Sequence, residues 1–253
     1  MTQKTILISG ATSGIGAEMA RQYAMAGHNL LLIGRNEQRL KQVLAECSEN
    51  KSIIIGYQAI DVRDKETLEE WLLSMDEKYN IDVIIANAGI SAGTAEGNES
   101  YQQIKDIIDT NLYGVINMID PLIANMQKRQ KGQIAIISSL AGYRGLPSCP
   151  AYSASKGAVK IYGEALRGLL AKDGIGVTVI TPGYIKSAMT DRNDFYMPFL
   201  LQTDKAVNIM IRKLSKNPAR IAFPKILYFF VWFMSILPPF ITDPIFARLP
   251  KKG

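Results

Sequence analysis

Tyr152 and Lys156, four apart in the run Tyr152-Ser153-Ala154-Ser155-Lys156, are the first residues in this 253-residue chain that could do chemistry. Pro150 stands just before them, where a helix can begin, and residues i and i+4 of a helix share one face. A free tyrosine titrates near pH ~10, which makes it a poor acid–base catalyst at neutrality. An ammonium beside it stabilises the phenolate and lowers that value. The phenol could then protonate a carbonyl oxygen as hydride arrives at the carbon, or take a proton in the reverse direction. A Tyr-x-x-x-Lys spacing arises often by chance, so its weight depends on what positions it.

Short apolar runs alternate with helical patterns along most of the chain. Strands are expected at Thr5–Ser9, Leu30–Ile33, Ile53–Ile55, Val83–Ala86, Ile134–Ile137 and Val177–Ile180. Helical spacing is expected over about 15–26, 36–48, 64–78, 101–129, 151–172 and 204–215. Near-continuous apolar strands separated by helices mark a parallel sheet covered on both faces. With right-handed crossovers, the pattern predicts an α/β fold: a three-layer, Rossmann-like, doubly wound parallel sheet with helices on both faces. Residues 1–225 read as one such domain, and a seventh strand is doubtful, with Arg220 to Phe223 the candidate.

The first strand meets Gly10-Ala11-Thr12-Ser13-Gly14-Ile15-Gly16, and a helix follows. Glycine permits the tight turn and lets the backbone approach a pyrophosphate, which the unpaired N–H groups of a helix N-terminus would bind. The second strand ends in Gly34-Arg35, where an NAD enzyme usually carries an acid for the ribose 2′-hydroxyl. A guanidinium there can pair with a 2′-phosphate, so NADP(H) is favoured over NAD(H). Other polar and glycine residues collect at strand ends: Asp61-Val62, Asn87-Ala88-Gly89, Ser138-Ser139 and Pro182-Gly183. Ligands bind there in an open parallel sheet.

Over residues 4–190 this set resembles the short-chain dehydrogenase/reductase family. The resemblance implies a nicotinamide-dependent oxidoreductase acting on CH–OH or C=O groups. Tyr152 would be the acid–base, Lys156 would lower its pKa and bind the nicotinamide ribose, and Ser139 would hold the substrate oxygen. Asn111 would hold a water relaying protons toward Lys156. Gly10, Ser13, Gly14, Ile15 and Gly16 would face the pyrophosphate, with Asp61 and Val62 at the adenine and Asn87 on the adenosine side. Pro182, Gly183, Ile185 and Ser187 would approach the nicotinamide. Ser138 reads as strand-end structure. The resemblance also implies a homo-oligomer built on the helices around 101–129 and 151–172. An epimerase or dehydratase on the same fold, or a dinucleotide binder without chemistry, are the competing functions.

Loops 91–100, 143–150 and 184–203 should shape the substrate pocket, with Cys149 close by as a packing residue. Residues 195–201, Phe-Tyr-Met-Pro-Phe-Leu-Leu, fall where the family carries a covering segment, and an apolar lid would suit a lipophilic small molecule or pack in the core.

The net charge of +6 is uneven. Residues 203–253 hold nine lysines and arginines against two acids, whereas residues 1–202 hold 20 against 21. No motif accompanies that basicity to suggest nucleic acid. Residues 226–253 form an apolar and basic extension, interrupted at Pro238-Pro239, which could pack on the domain, a partner subunit or a membrane surface, the last through residues 226–249. Its apolar runs are shorter than the ~20 residues a spanning helix needs. The two cysteines, Cys47 and Cys149, lack metal-ligand or disulfide-framework spacing, and no signal peptide is evident, which suits a cytoplasmic protein, peripheral on a membrane if the extension docks there. The single histidine, His28, follows Gly27 and reads as a surface loop residue, and one histidine cannot build a multi-histidine metal site, so no metal is expected.

Overall fold

The apolar runs become seven strands: β1 (Thr5–Ser9), β2 (Asn29–Gly34), β3 (Ile55–Ala59), β4 (Val83–Ala86), β5 (Gly132–Ile137), β6 (Ile175–Pro182) and β7 (Arg220–Phe223). All pair in parallel in the order β3-β2-β1-β4-β5-β6-β7. The order reverses between β1 and β4, which opens a crevice at their carboxyl ends. This is a computed structural model, and it describes residues 2–48, 52–94 and 98–248.

Successive strand residues point to opposite faces, so each strand feeds two cores. Ile6, Ile8, Leu30 and Leu32 pack with helices α1 (Gly14–Met25), α2 (Glu37–Cys47) and, later in the chain, Thr203–Leu214. Leu7, Leu31, Ile84 and Ile134 pack on the other face with α3 (Lys65–Tyr79) and with helices drawn from 114–129 and 150–170. The three-layer, doubly wound fold read from the sequence is therefore the fold observed.

Two elements depart from expectation, and a third, doubtful in the sequence, is present at its candidate residues. The third strand lies at 55–59 rather than 53–55, with Ile55 opposite Leu30 and Ala59 opposite Gly34. It is an edge strand whose last three residues are exposed, so it has no continuous apolar run to announce it. The single helix expected over 101–129 is α4 (Tyr101–Ile108), a π-helical turn at Asp109–Tyr113, and α5 (Gly114–Arg129). The doubtful seventh strand forms and pairs with β6.

The helix over 151–172 is α6 (Pro150–Leu170), and α7 is Thr203–Leu214. After β7 the two apolar runs become α8 (Lys225–Ile236) and α9 (Pro239–Phe246). The end of the second run, 249–253, lies outside the described residues, as does 95–97 of the 91–100 loop. No helix among the described residues is long and apolar enough to cross a membrane.

His28 is not a surface residue. It is buried, its Nδ1 accepts from the Lys4 backbone N–H at 3.2 Å, and its ring meets Tyr23 edge-on at 5.7 Å. Burial, with the Lys4 charge, lowers its pKa. Among the described residues no cluster of three or more His, Cys, Asp or Glu could hold a metal ion.

Candidate active site

β1 is followed by Gly10 at φ 66°, a left-handed conformation that costs glycine little. The turn closes tightly: a Cβ on Gly16 would stand 2.3 Å from the Gly10 carbonyl oxygen and 2.7 Å from Asn87 Nδ2. Asn87 staples the next strand to this turn, donating from Nδ2 to the Ser9 carbonyl at 2.9 Å and from its backbone N–H to Ser9 Oγ at 3.1 Å. The first turn of α1 then presents its unpaired N–H groups at the crevice.

The facing wall begins where β5 ends. Ser138 is buried structure, as expected, its Oγ donating to the Lys156 carbonyl at 2.7 Å. Ser139 Oγ accepts from the Ala141 N–H at 3.1 Å and caps the short turn Leu140–Gly142. That turn lies on α6 so closely that a Cβ on Gly142 would be 2.7 Å from the Lys156 carbonyl. Two adjacent serines thus hold Tyr152 and Lys156 against the end of the sheet.

The result is a cleft of about 190 Å³. Gly10, Ser13, Gly14 and Ile15 line one side, with Asn87 at its base. Ser139, Tyr152 and Lys156 line the other, and Pro182, Gly183, Ile185 and Ser187 close it. Gly14, at φ 54°, takes a left-handed conformation there, with Ser187 Cβ 3.7 Å from where its Cβ would stand. The bare backbone at one wall and hydroxyl donors at the other fit an elongated, phosphate-bearing dinucleotide.

Asn111 is fully buried in the π-helical turn, outside the cleft lining. Its Oδ1 accepts from the Ile90 N–H at 2.8 Å, and its Nδ2 donates to the Ile90 carbonyl at 2.9 Å and Ser155 Oγ at 3.0 Å. A Cβ on Gly89 would lie 3.2 Å from Asn111 Oδ1 and 3.3 Å from Lys156 Nζ, so Gly89 brings the amide and the ammonium together. π turns recur at functional sites because they re-aim one side chain.

The electrostatics differ from the simple pairing expected. Burial pushes the Tyr152 phenol up to about 12, with the Ser139 hydroxyl pulling it partly back. Burial also lowers Lys156 to about 8. The Lys156 ammonium donates to the Ile137 carbonyl at 2.9 Å and stands 5.8 Å from the centre of the Tyr152 ring. The ammonium is held by the strand end, and burial rather than a neighbouring positive charge dominates the phenol's pKa.

Arg35, Asp61 and Val62 lie apart from this cleft, at the ends of β2 and β3. Arg35 is exposed, and its Nη1 is 3.9 Å from Asp61. Burial opposes the Asp61 charge, but hydrogen bonds from Arg63 and the charges of Arg63 and Arg35 outweigh it and lower its pKa. Arg63 binds Asp61 at 2.8 Å. A Cβ on Gly34 would sit 2.5 Å from Thr12 Cγ2. Val62 is buried against Gly114.

Two positions that help shape the site had no motif to reveal them. Thr190 Oγ1 accepts from the Ser187 N–H at 2.9 Å and donates to the Ile185 carbonyl at 2.8 Å, folding 185–190 into the cleft wall. Glu99 Oε2 accepts from the Ala151 N–H at 2.9 Å and caps α6, whose own N-cap side chain makes no such bond. A cavity of about 410 Å³ is lined by residues of 141–154, in the expected pocket loop. Cys149, in the same loop, is buried but is not part of that lining. Of the expected lid, Leu201 packs on the core and Tyr196 is exposed.

A family model described as short chain dehydrogenase matches residues 4–195. An uncharacterised oxidoreductase of Myxococcus xanthus is 33% identical over 250 residues, covering 98% of each chain. One from Mycobacterium tuberculosis is 35% identical over 250 residues, covering 96% of this chain and 97% of that one. A substituted actinorhodin polyketide ketoreductase, solved with NADPH, is 26% identical and superposes with a TM-score of 0.77 over 87% of this chain and 95% of that one.

Proposed function

The chain belongs to the short-chain dehydrogenase family of oxidoreductases, and from that premise we propose that it uses NADPH to reduce a lipophilic ketone or aldehyde, or runs the reverse oxidation. The observation that carries the reading is the meeting of Ser139, Tyr152 and Lys156 in one cleft with the glycine turn.

A bound nicotinamide nucleotide would supply or accept the hydride. Gly10, Ser13, Gly14, Ile15 and Gly16 would hold its pyrophosphate, and Pro182, Gly183, Ile185 and Ser187 would border its nicotinamide. Asp61, Val62 and Asn87 would flank its adenosine. Ser139 Oγ, already oriented by the Ala141 N–H, would receive the substrate oxygen beside Tyr152. Tyr152 would then donate its proton to that oxygen. Lys156 would turn from the Ile137 carbonyl toward the nicotinamide ribose and the phenol, favouring the phenolate left behind. Asn111 would hold the Ile90 loop and α6 in register with Lys156.

Three features support NADPH over NADH. Arg35 is exposed, Asp61 is neutralised by Arg63, and Gly34 brings no acid. Leu227, whose Cδ2 would be 3.1 Å from a Cβ on Gly183, and the apolar segment 195–201 support a lipophilic substrate. Exposed Tyr113, Ile161 and Leu169 support a homo-oligomer through the helices around 101–129 and 151–172.

The test is a calorimetric titration with NADPH and NADH, followed by NADPH oxidation against aliphatic and aromatic ketones and aldehydes. Tighter NADPH binding and faster turnover of apolar carbonyls are expected. Equal binding of both nucleotides sinks the NADPH preference, and product formation without net cofactor consumption sinks the reductase reading.

A further inference from the structure

We propose that α8 and α9 are a docking surface for an anionic lipid bilayer, lying in the plane of the membrane and seating the reaction cleft beside it. The docking stands independently of the reaction; its link to substrate delivery rests on the function proposed above.

The outward face of α8 carries Ile226, Phe229, Phe230, Trp232, Phe233 and Ile236, all exposed, in one stripe at helical spacing. Phe229 is 61% exposed and Ile236 59%. The helix cannot turn this stripe inward, because its other face is engaged. Met234 is buried, Leu227 approaches Gly183, and the Tyr228 hydroxyl accepts from Arg220 Nη1 at 3.2 Å. After Pro238-Pro239, α9 extends the apolar surface with exposed Phe240, Ile241 and Ile245.

α9 is equally fixed. Phe246 and Thr242 are buried, and Asp243 accepts from Arg144 Nη2 at 2.5 Å. The Arg144 guanidinium also lies over the Phe246 ring, 5.2 Å from its centre. Arg144 belongs to the cavity loop between Ser139 and Tyr152. The same hairpin therefore touches the cleft at Gly183 and the cavity at Arg144.

Monomeric soluble proteins rarely expose contiguous apolar patches beyond a few hundred Å². Charge selects the occupant. The sole acid between 225 and 248 is Asp243, which is ion-paired, while Lys225 and Arg248 flank the surface and are exposed. Lys251 and Lys252 follow in sequence. A second copy would bring the same basic rim against itself, whereas an anionic leaflet complements it. α8 has 12 residues, short of the ~20 needed to span, so it fits an interfacial position with Trp232 at headgroup depth.

The test is flotation of the full chain with vesicles of phosphatidylcholine and phosphatidylglycerol in equal parts, and with phosphatidylcholine alone. Wild type should float with the mixed vesicles, about tenfold less with the neutral ones. Phe230→Glu with Phe233→Glu should abolish flotation, and Lys225→Glu with Arg248→Glu should weaken it about tenfold. Unchanged circular dichroism and NADPH binding certify that the variants fold. Brominated lipid should quench a fluorescence component that Trp232→Phe removes. Failure of wild type to float overturns the proposal, as does equal flotation with neutral vesicles. A dimer broken by the Phe230→Glu, Phe233→Glu pair, without vesicle binding, overturns it in favour of a second copy. Cofactor titration without vesicles reads the reductase proposal separately.

Discussion

Lys156 donates to the Ile137 carbonyl at 2.9 Å while standing 5.8 Å from the centre of the Tyr152 ring. Burial raises the phenol to about 12 and lowers the ammonium to about 8, so at neutral pH the tyrosine is a phenol while the lysine keeps most of its charge. The neutral phenol holds the proton that a carbonyl reduction would consume.

Tyr152→Phe removes that proton and little packing. Turnover is expected to fall by at least about a hundredfold, with NADPH affinity within a few-fold of wild type. Steady-state kinetics and calorimetry on the same preparation check this. Near-wild-type turnover would place the proton donor elsewhere.

Lys156→Met should change how stability responds to pH. Folded Lys156 titrates at about 8, whereas an exposed lysine titrates near 10.5. Between these values the unfolded chain binds more protons at this residue than the folded chain. Its contribution to unfolding free energy therefore rises as pH climbs from about 8 to 10.5, and is least favourable below 8. Urea denaturation of both proteins across that window should show wild type gaining on the variant. Parallel curves would mean that Lys156 is not titrating as a buried amine.

Arg35→Ala should weaken NADPH binding about tenfold or more, because a charge-assisted hydrogen bond to phosphate is lost. NADH affinity should barely move. Equal loss for both nucleotides would assign Arg35 to the adenosine pocket in general rather than to the 2′-phosphate.

Asn111→Ala would leave the Ile90 N–H, its carbonyl and the Ser155 hydroxyl short of a buried partner. A destabilisation of roughly 3 kcal/mol is expected, measurable as a lower urea midpoint. A loss below about 1 kcal/mol would show that water or local shifts satisfy those groups.

The sheet was legible because strands buried on both faces must be apolar throughout, as Leu30 to Ile33 are. The cleft was legible because its polar residues stand at strand ends, where a parallel sheet gathers ligands. β3 was misplaced because an edge strand such as Gly56-Tyr57-Gln58 has no such requirement. The π turn was hidden because helical periodicity runs through it, while the contacts that hold Asn111 there, to Ile90 and Ser155, are made across space. Glu99 and Thr190 act on backbone groups of distant or irregular segments, which no spacing encodes. His28 was misread because a residue after a turn glycine is ordinarily outside, yet here Tyr23 and Lys4 enclose it.

Gly34 and Thr12 constrain how the proposed preference for NADPH could be changed. The obvious route from NADPH toward NADH is an acid at position 34, yet the space its Cβ needs is filled by Thr12 Cγ2 at 2.5 Å. Threonine is stiff at χ1 and cannot simply swing aside. A change at Thr12 to a smaller residue must come before, or together with, one at Gly34. An acid introduced at position 34 alone would meet Thr12, so the two positions would have to change as a pair for the proposed preference to be reversed.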